Sequence, residues 1–431
     1  MMLYPNQLPI TPFTSRVDAT VTVPGSKSIT NRALVLAALA SRNGTCVLDG
    51  VLQSEDTEVM VDCLTRLGFD VHVDWSACRI TVNPNTSGRL IPAKNADLFV
   101  GNSGTTIRFV TAMVALGEGT YRLDGVPRMR ERPIQDLLDT LEHLGVDAKS
   151  EASNGCPPVV VNANGLRGGA VKVKANISSQ FLSGLLLAAP FATAETTLEI
   201  VGTLVSEPYV EMTIAMLQAF GLTVNRDAAG RFVIPGNQQI HREQYAIEPD
   251  ASSASYFWAM AAITGGRVTV NGLTSKSLQG DVKFVDVLQQ MGCRVEESPH
   301  GITVHGGPLH GVDVDMNAIS DTVMTLAAVA CFADGPTRIR NVAHIRHKET
   351  DRIAALATEL RKLGAGVDES EDGLQITPQP LTGCAVDTYN DHRMAMSLAL
   401  IGLRVPGVVV NNPGCVAKTY PGYWQDLKKA Q

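Results

Sequence analysis

The chain has 431 residues and a formal net charge of −7. A single hydrophobic core stops growing at about 250–300 residues, so the length predicts at least two domains. The acidic balance argues against a nucleic-acid-binding or membrane-surface protein, because both need a long-range positive field. Hydrophobic residues make up 45% of the chain and aromatic residues only 5%, which favours an α/β fold with an aliphatic core.

The apolar segments are short and the cysteines are scattered. No apolar run reaches the ~18 residues of a membrane span and no secretory signal pattern opens the chain, so we expect a cytoplasmic protein. No CxxC pair and no Cys/His metal spacing occurs, which predicts free thiols and no metal site. The cysteines are Cys46, Cys63, Cys78, Cys156, Cys293, Cys331, Cys384 and Cys415.

Helical patterns that end in Leu-x-x-x-Gly recur at intervals of 71 to 77 residues. A glycine at this place suits the left-handed residue that ends a helix before an extended segment. The copies are Leu64–Gly68, Leu141–Gly145, Leu217–Gly221, Leu288–Gly292 and Leu360–Gly364.

A second marker keeps the same period and gives six copies: an Ala-rich helix, then a β-run that ends in Gly or Asn. These helices are apolar almost all round, which predicts that they are buried. They are Asn31–Ala40, Thr105–Leu116, Gln180–Ala189, Ser253–Thr264, Thr322–Phe332 and Arg393–Leu403, and Tyr423–Ala430 is the short second helix of the sixth copy. Six such units predict two domains of three units each, with the midpoint near Pro249.

The residues at the starts of these helices are rich in groups that bind anions. Free backbone N–H groups at a helix start favour negative charge. A Ser, Asp or Asn there can equally be an ordinary N-cap, but caps do not need cations such as Lys27, Arg32, Arg108 and Arg393. More basic residues follow the β-runs, so the pattern predicts a local cationic cleft between the domains for small phosphorylated anions. These segments are Arg128–Arg132, His347–Arg352 and Ala417–Thr419.

Five segments, in order along nearly the whole chain, resemble the 5-enolpyruvylshikimate-3-phosphate synthase family, which belongs to the enolpyruvyl transferases. They are Pro24–Ser28, Gly101–Arg108, Arg128–Pro133, Lys348–Arg352 and Asn390–Met396. The resemblance implies a two-domain inside-out α/β barrel of six βαβαββ repeats with buried helices. Repeats one to three would form residues 25–248, and repeats four to six would form residues 1–24 with 249–431.

The resemblance also implies a reaction without metal or organic cofactor. Phosphoenolpyruvate and shikimate 3-phosphate would give the enolpyruvyl ether and inorganic phosphate by addition and elimination, a step of aromatic amino acid biosynthesis. The expected partners are these two small molecules alone, with no nucleic acid and no membrane, and the expected state is a monomer.

The resemblance assigns substrate contacts residue by residue. Shikimate 3-phosphate would be held by Lys27, Ser28, Arg32, Ser178, Ser179, Gln180, Ser206, Tyr209, Asp321, His344 and Lys348. Phosphoenolpyruvate would be held by Lys27, Gly104, Arg132, Gln180, Arg352, Arg393 and Lys418. Supporting positions behind these would be Asn102, Thr105, Asp391 and His392.

Two carboxylates would carry the proton transfers that the reaction needs. Glu349 is assigned as the acid that protonates the methylene carbon of phosphoenolpyruvate, and Asp321 as the acceptor of the 5-hydroxyl proton. Lys27 and Lys418 would stabilise charge on the intermediate. Which of these groups acts in which half-reaction stays open at this stage.

The sequence also departs from the family pattern. His344 stands where many relatives have Asn, and Phe109 stands where many relatives that are sensitive to the inhibitor glyphosate have Pro; Thr106 and Ser103 also differ from the commonest pattern. Gly104, which would leave room for the phosphonate of glyphosate, is kept. The bulk of Phe109 is expected to shift the helix start that carries Gly104.

Two alternatives stay open. The sister transferase that modifies UDP-N-acetylglucosamine has the same repeat architecture but uses a loop cysteine, and no cysteine lies between Gly104 and Arg132. A catalytically silent anion-binding protein on the same fold would not need Lys27, Asp321, Glu349 and Lys418 together.

Overall fold

The structure is a computed structural model that describes residues 4–431. Its helices are α1 Lys27–Ala40, α2 Glu55–Arg66, α3 Gly104–Val114, α4 Gln135–His143, α5 Ser179–Ala188, α6 Pro208–Ala219, α7 Ala251–Thr264, α8 Phe284–Gln290, α9 Val323–Ala330, α10 Arg352–Lys362, α11 His392–Ile401 and α12 Tyr423–Lys429. Short 3₁₀ turns lie at Pro127–Glu131, Ala189–Phe191, Gly280–Lys283, Asn317–Thr322, Ala343–His347 and Pro413–Lys418.

The strands are short, with two to seven residues each. They are β1 Gln7–Pro9, β2 Asp18–Val21, β3 Cys46–Asp49, β4 Val71–Asp74, β5 Arg79–Val82, β6 Asn95–Phe99, β7 Glu118–Asp124, β8 Asp147–Ser150, β9 Val159–Asn164, β10 Gly169–Lys174, β11 Thr196–Val201, β12 Asn225–Arg226, β13 Phe232–Ile234, β14 Gln244–Ala246, β15 Arg267–Asn271, β16 Arg294–Ser298, β17 Gly301–His305, β18 Asp313–Asp315, β19 Thr337–Arg340, β20 Gly366–Ser370, β21 Gly373–Thr377, β22 Ala385–Val386 and β23 Val409–Asn411.

Contacts divide the chain into two compact units. One comprises Gly25–Ile247, and the other joins the described residues up to Pro24 to Glu248–Gln431. We call them the 25–247 unit and the 248–431 unit. The predicted boundary and this one differ by a single residue, Glu248, which lies with the 248–431 unit.

The sheets repeat one topology within each unit. The strands β6 to β9 join in the order β6-β7-β9-β8, with a parallel first pair and antiparallel neighbours, and β10 to β13 and β18 to β21 repeat that order. Two strands, β2 and β14, pair with strands that are distant in the sequence. The strand β2 precedes α1 but pairs with β15 of the 248–431 unit, and β14 precedes α7 but pairs with β3 of the 25–247 unit. In each unit, one sheet therefore contains a strand whose pairing partner is distant in the sequence.

The predicted helix-ending glycines are confirmed. Backbone φ is positive at each of Gly68, Gly145, Gly221, Gly292 and Gly364, with values from 83° to 106°. A residue with a Cβ atom would be strained in this left-handed region, so these positions favour glycine.

The predicted buried helices exist, and they are buried nearly all round, as α1, α3 and α5 of the 25–247 unit show. In the 248–431 unit the same holds for α7, α9 and α11. Several of the six begin earlier than predicted, α1 at Lys27 instead of Asn31 and α3 at Gly104 instead of Thr105, because the capping residue lies further upstream. Most end earlier too, as α11 does at Ile401 instead of Leu403.

Most of these helix starts are capped by their own chain. The side chains of Ser26, Ser103, Ser178, Asp250 and Asp391 each accept a hydrogen bond from a backbone N–H of the first turn. The ordinary N-cap interpretation is therefore correct for these residues. Among residues 4–431, no helix is long and apolar enough to cross a bilayer.

Candidate active site

The first turn of α1 presents Lys27 beside a carboxylate. Its Nζ lies 3.5 Å from Oδ2 of Asp56, and the two side chains are 12% and 3% exposed. Asp56 belongs to the acidic first turn of α2, where negative charge is favoured by the helix dipole. Lys27 is thus fixed at the α1 start by an ion pair from the neighbouring helix.

Arg32 lies one turn further along α1, buried in a cradle of uncharged oxygen atoms. Its Nε donates to the Thr213 hydroxyl at 2.7 Å, and Nη2 donates to the Ser183 hydroxyl at 3.4 Å and the Tyr209 carbonyl at 3.0 Å. Its Nη1 donates to the Ser28 carbonyl at 2.9 Å. Burial lowers the pKa of Arg32 to about 10, so the guanidinium stays charged at neutral pH and would gain from an anionic partner.

The start of α3 is tied to the start of α5. Arg108 donates from Nη1 to the Gly104 carbonyl at 3.0 Å and to Oε1 of Gln180 at 3.2 Å, and from Nη2 to the Pro133 carbonyl at 3.1 Å. Gln180 in turn donates to the Thr105 hydroxyl at 3.2 Å. Gly104, Thr105 and Gln180, which were predicted separately, therefore form one hydrogen-bonded group.

The basic run Arg128–Arg132 divides into two kinds of arginine. Arg132 is 4% exposed, and its Nη1 donates to the carbonyl of Asn102 at 3.0 Å and to its side-chain oxygen at 3.3 Å. Arg128 and Arg130 are more exposed, and each pairs with a nearby carboxylate. Arg132 therefore joins the α3 start, whereas the exposed ion pairs of Arg128 and Arg130 fit the solvated interpretation.

Gly104 leaves no room for a side chain in this group. A Cβ atom at this position would lie 2.4 Å from Nη2 of Arg132 and 2.6 Å from Nη1 of Arg108. Any larger residue would have to move one or both arginines.

The remaining predicted residues of the 25–247 unit lie at neighbouring helix starts. Ser178 caps α5 by accepting from the Gln180 N–H at 3.3 Å, and Ser179 is the first residue of that helix. Ser206 is buried with a φ of 52°, and its carbonyl accepts from the Tyr209 N–H at 3.1 Å. The left-handed backbone at Ser206 starts the turn that leads into α6.

In the 248–431 unit, Arg352 is surrounded by three carboxylates. Its Nε donates to Asp391 at 2.8 Å, its Nη2 to Glu349 at 2.9 Å and its Nη1 to Asp321 at 3.2 Å. Burial disfavours its charge, but the carboxylates of Asp391, Glu349 and Asp321 outweigh that effect and raise the pKa of Arg352. Arg352 is therefore the cation that joins these three carboxylates in one buried network.

Arg393 shares one of these carboxylates. Its Nη2 donates to Asp321 at 2.7 Å and its Nη1 donates to the Tyr256 hydroxyl at 3.4 Å. Burial raises the pKa of Tyr256 to about 12, so this hydroxyl stays neutral. Asp321 lies inside the turn Asn317–Thr322, where it binds Arg352 and Arg393, and it does not cap α9.

Glu349 lies between two cations. Besides its bond to Arg352, its Oε1 lies 3.9 Å from Nζ of Lys418, and all three side chains are at most 7% exposed. Lys418 ends the turn Pro413–Lys418. A carboxylate in this position can hand a proton to a nearby ligand while the cations stabilise the charge it acquires.

His344 is buried within the turn Ala343–His347, and Lys348 directly follows this turn. Burial, followed by the positive charge of Lys348, lowers the pKa of His344 to about 3. His344 is therefore neutral at physiological pH, and it can offer a ligand a hydrogen bond but no charge.

Asp391 and His392 support the start of α11. Oδ1 of Asp391 accepts from the Arg393 N–H at 2.9 Å while its other oxygen binds Arg352. His392 is fully buried, with Nδ1 3.6 Å from Asp391. Among residues 4–431, no group of three or more His, Cys, Asp or Glu side chains is arranged to hold a metal ion.

Sequence reasoning did not find several residues that hold these groups. Asp56, Thr213, Ser183 and Tyr256 contact Lys27, Arg32 and Arg393, but each is far from its partner in the sequence. Asp56 looks like any acidic residue at a helix start, Ser183 and Tyr256 lie in the buried helices α5 and α7, and Thr213 lies on the buried side of α6. Only the helical phase of the small hydroxyls on α5 and α6 could have hinted at a polar contact.

Comparisons with known proteins agree on one family. The family model described as EPSP synthase (3-phosphoshikimate 1-carboxyvinyltransferase) matches residues 13–427. A 3-phosphoshikimate 1-carboxyvinyltransferase of Nostoc sp. is 51% identical over 409 residues, which is 95% of each chain. A chloroplastic relative of the same name from Arabidopsis thaliana is 48% identical over 96% of this chain and 82% of its own.

A solved structure gives the same result for the fold. The EPSP synthase of Acinetobacter baumannii superposes with a TM-score of 0.81 at 26% identity, covering 98% of each chain. Sequence and fold thus point to one group of proteins, and the chain belongs to the EPSP synthase family.

Proposed function

We propose that the chain transfers the carboxyvinyl group of phosphoenolpyruvate to the 5-hydroxyl of shikimate 3-phosphate and releases inorganic phosphate. The observation that carries this proposal is the buried group in which Arg352 joins Asp321 and Glu349 while Lys418 lies beside Glu349. Two carboxylates and two cations in one group supply the proton donor, the proton acceptor and the charge stabilisation that the transfer needs.

Shikimate 3-phosphate is a phosphate and a carboxylate on a ring with hydroxyl groups. Its proposed contacts are Lys27, Ser28, Arg32, Ser178, Ser179, Gln180, Ser206, Tyr209, Asp321, His344 and Lys348. The cradle of Arg32 supports this role, because neutral oxygen atoms orient the guanidinium without cancelling its charge. His344 takes part as a neutral hydrogen-bonding group.

Phosphoenolpyruvate needs cations for both of its acidic groups. Its proposed contacts are Lys27, Gly104, Arg132, Gln180, Arg352, Arg393 and Lys418. Arginine forks match carboxylate and phosphate oxygens in pairs, and Arg132 is held rigidly at the α3 start by both oxygens of Asn102. The positions behind these contacts are Asn102, Thr105, Asp391 and His392.

The reaction proceeds by addition and elimination. Glu349 gives a proton to C3 of phosphoenolpyruvate, C2 gains positive character, and the 5-hydroxyl oxygen of shikimate 3-phosphate bonds to C2 as Asp321 takes its proton. In the second half, C3 returns a proton to the Glu349 carboxylate, the bond from C2 to the phosphate oxygen breaks, and phosphate leaves with the electron pair and takes the proton held by Asp321. Each substrate atom is accounted for, and no redox partner is needed.

The charge on Glu349 changes during this cycle. Arg352 and Lys418 favour its ionised form in the free enzyme. A bound phosphoenolpyruvate brings negative charge to the same cations and so returns Glu349 towards the protonated form that the first step uses. Lys27 and Lys418 stabilise the charges of the intermediate.

The finer architecture is part of the same proposal. Each unit is an inside-out α/β barrel of three βαβαββ repeats, with α1, α3 and α5 or α7, α9 and α11 inside. The near-complete burial of these helices supports it. We further propose that the enzyme acts in the cytoplasm as a monomer, without metal or organic cofactor, on these two small molecules alone.

Release of inorganic phosphate tests the proposed reaction. We expect release only when both phosphoenolpyruvate and shikimate 3-phosphate are present, and mass spectrometry should show the enolpyruvyl ether in equal amount. Release with UDP-N-acetylglucosamine in place of shikimate 3-phosphate would identify the sister reaction. Binding of both anions without release would identify a silent anion-binding protein.

A further inference from the structure

Two arginines of the 25–247 unit lie over phenylalanine rings. The guanidinium carbon of Arg32 is 5.0 Å from the ring centroid of Phe109, and that of Arg108 is 5.5 Å from the ring centroid of Phe181. Each arginine belongs to one buried helix and each ring to the next, from α1 to α3 and from α3 to α5. The two pairs therefore repeat one arrangement in successive repeats.

The Phe109 ring completes the surroundings of Arg32. The ring is fully buried and Arg32 is 2% exposed. The hydrogen bonds of Arg32 go to Thr213, Ser183 and two backbone carbonyls, and among residues 4–431 no carboxylate pairs with it. The negative face of an aromatic ring attracts a desolvated guanidinium and fixes its plane without neutralising it.

The structure also separates Phe109 from the start of its own helix. Phe109 lies five residues after Gly104, and its ring contacts Arg32 on α1. The helix start itself is regular, with Ser103 capping and Arg108 bound to the Gly104 carbonyl. The ring of Phe109 therefore contacts Arg32 directly, whereas Gly104 lies against the guanidinium groups of Arg108 and Arg132.

We infer that Phe109 is a positioning residue for the shikimate 3-phosphate side of the site, acting through Arg32 and not through the Gly104 helix start. The inference rests on the proposed function, in which Arg32 binds shikimate 3-phosphate. It replaces the sequence-based expectation that the bulk of Phe109 disturbs Gly104. Residue 109 then sets the affinity for the acceptor substrate, while its effect on phosphoenolpyruvate and glyphosate is small.

The test compares Phe109→Leu with Phe181→Leu, which removes the matched ring beneath Arg108. Steady-state rates are measured with each substrate varied in turn. Loss of a buried cation–ring contact should raise the KM for shikimate 3-phosphate about tenfold in Phe109→Leu. The KM for phosphoenolpyruvate, the kcat and the inhibition constant of glyphosate should each change less than about twofold, because the Gly104 group keeps its contacts.

The control should behave differently. Phe181→Leu should raise the KM for phosphoenolpyruvate at least as much as that for shikimate 3-phosphate, since Arg108 joins Gly104 and Gln180. Two further variants are Phe109→Met, whose unbranched and flexible side chain adapts to the surrounding space, and Phe109→Tyr, which keeps the ring. If Phe109→Leu fails to fold, Phe109→Met should show the same rise in the KM for shikimate 3-phosphate. Phe109→Tyr should keep that KM close to the wild-type value.

Two results would overturn the inference. One is that Phe109→Leu or Phe109→Met mainly raises the KM for phosphoenolpyruvate or the inhibition constant of glyphosate. The other is that the KM values for both substrates rise equally. A wild-type enzyme that releases no phosphate would instead refute the proposed function, so the two failures are distinguishable.

Discussion

Arg32 in the 25–247 unit and Arg352 in the 248–431 unit are both almost completely buried, yet they are stabilised in different ways. Arg32 rests on hydroxyls, carbonyls and an aromatic ring. Arg352 is bound by three carboxylates. The pKa values follow this difference, since burial lowers that of Arg32 to about 10 while the carboxylates raise that of Arg352.

The difference separates two tasks. A buried cation without a counter-ion keeps its full attraction for an anion, so the Arg32 cradle is suited to binding. A cation shared among carboxylates, such as Arg352, attracts a further anion less strongly, and it also fixes the carboxylates for proton transfer. The proposed acid and base, Glu349 and Asp321, both belong to this second group.

The largest expected effect concerns Glu349. Glu349→Gln keeps the shape and the bond to Arg352 but removes the transferable proton, so kcat should fall by about 10²–10⁴ while shikimate 3-phosphate binding is nearly kept. Rapid phosphate-release kinetics and calorimetric binding measure the two quantities. Glu371→Gln, an exposed position in the same unit, is the control and should keep normal turnover. Near-normal turnover of Glu349→Gln would remove this residue from the acid role.

Replacing each arginine by Met tests the comparison itself. Arg352→Met removes the cation that three carboxylates share, so we expect a loss of about 3–5 kcal/mol in the free energy of unfolding. Arg32→Met leaves only neutral groups behind and should cost no more than about 1–2 kcal/mol. Urea unfolding of both variants at neutral pH gives the two values. Equal losses would mean that the two sites are stabilised in the same way.

His344 gives a pH-dependent test within the 248–431 unit. Its pKa is about 3 in the folded protein, below the ordinary value of 6.5, so between these values only the unfolded chain takes up the proton. The stability that His344 contributes is therefore complete above pH 6.5 and is lost as the pH falls towards 3. At pH 5 the loss relative to pH 7 should be on the order of 2 kcal/mol.

His344→Asn removes this titration. Urea unfolding at pH 7 and pH 5 should show a smaller acid destabilisation in the variant than in the wild type. The same loss in both proteins would show that His344 is protonated normally in the folded state.

The smallest expected effect concerns the inhibitor. Gly104→Ala places a methyl group against the ends of Arg132 and Arg108, so it should raise the KM for phosphoenolpyruvate as well as the inhibition constant of glyphosate. Glyphosate is the longer molecule and needs the space more, so its constant should rise about tenfold more than the KM. Both constants come from one set of inhibition curves. Equal increases would show that Gly104 does not discriminate between the two ligands.

The sequence predicts much of the fold because its signals are local. Helix-ending glycines such as Gly68 and Gly364 and the Ala-rich helices are each readable within a short window. The pairing of β2 with β15 and of β14 with β3 cannot be read within a short window, because each partner is distant in the sequence. Most of the helix starts were placed too late for a related reason, since polar first-turn residues such as Lys27 look like loop residues.

The residues of the candidate site also divide into those predicted from the sequence and those found only in the structure. The charged residues Lys27, Arg32, Glu349 and Arg352 are identified by their resemblance to a family. Their supports are found only in the structure, as Thr213 lies 181 residues from Arg32. The Phe109 ring appears in the sequence as a departure from the family pattern, and only its contact with Arg32 gives it a role.

The most direct test of the account is the fate of the proton at C3 of phosphoenolpyruvate. Protonation of the methylene carbon and its later loss should exchange hydrogen with the solvent, so the reaction run in D₂O should place deuterium in the vinyl group of the product. We predict this incorporation in the wild-type enzyme and its loss, along with turnover, in Glu349→Gln. A product formed at the normal rate without deuterium at that carbon would contradict the addition and elimination pathway.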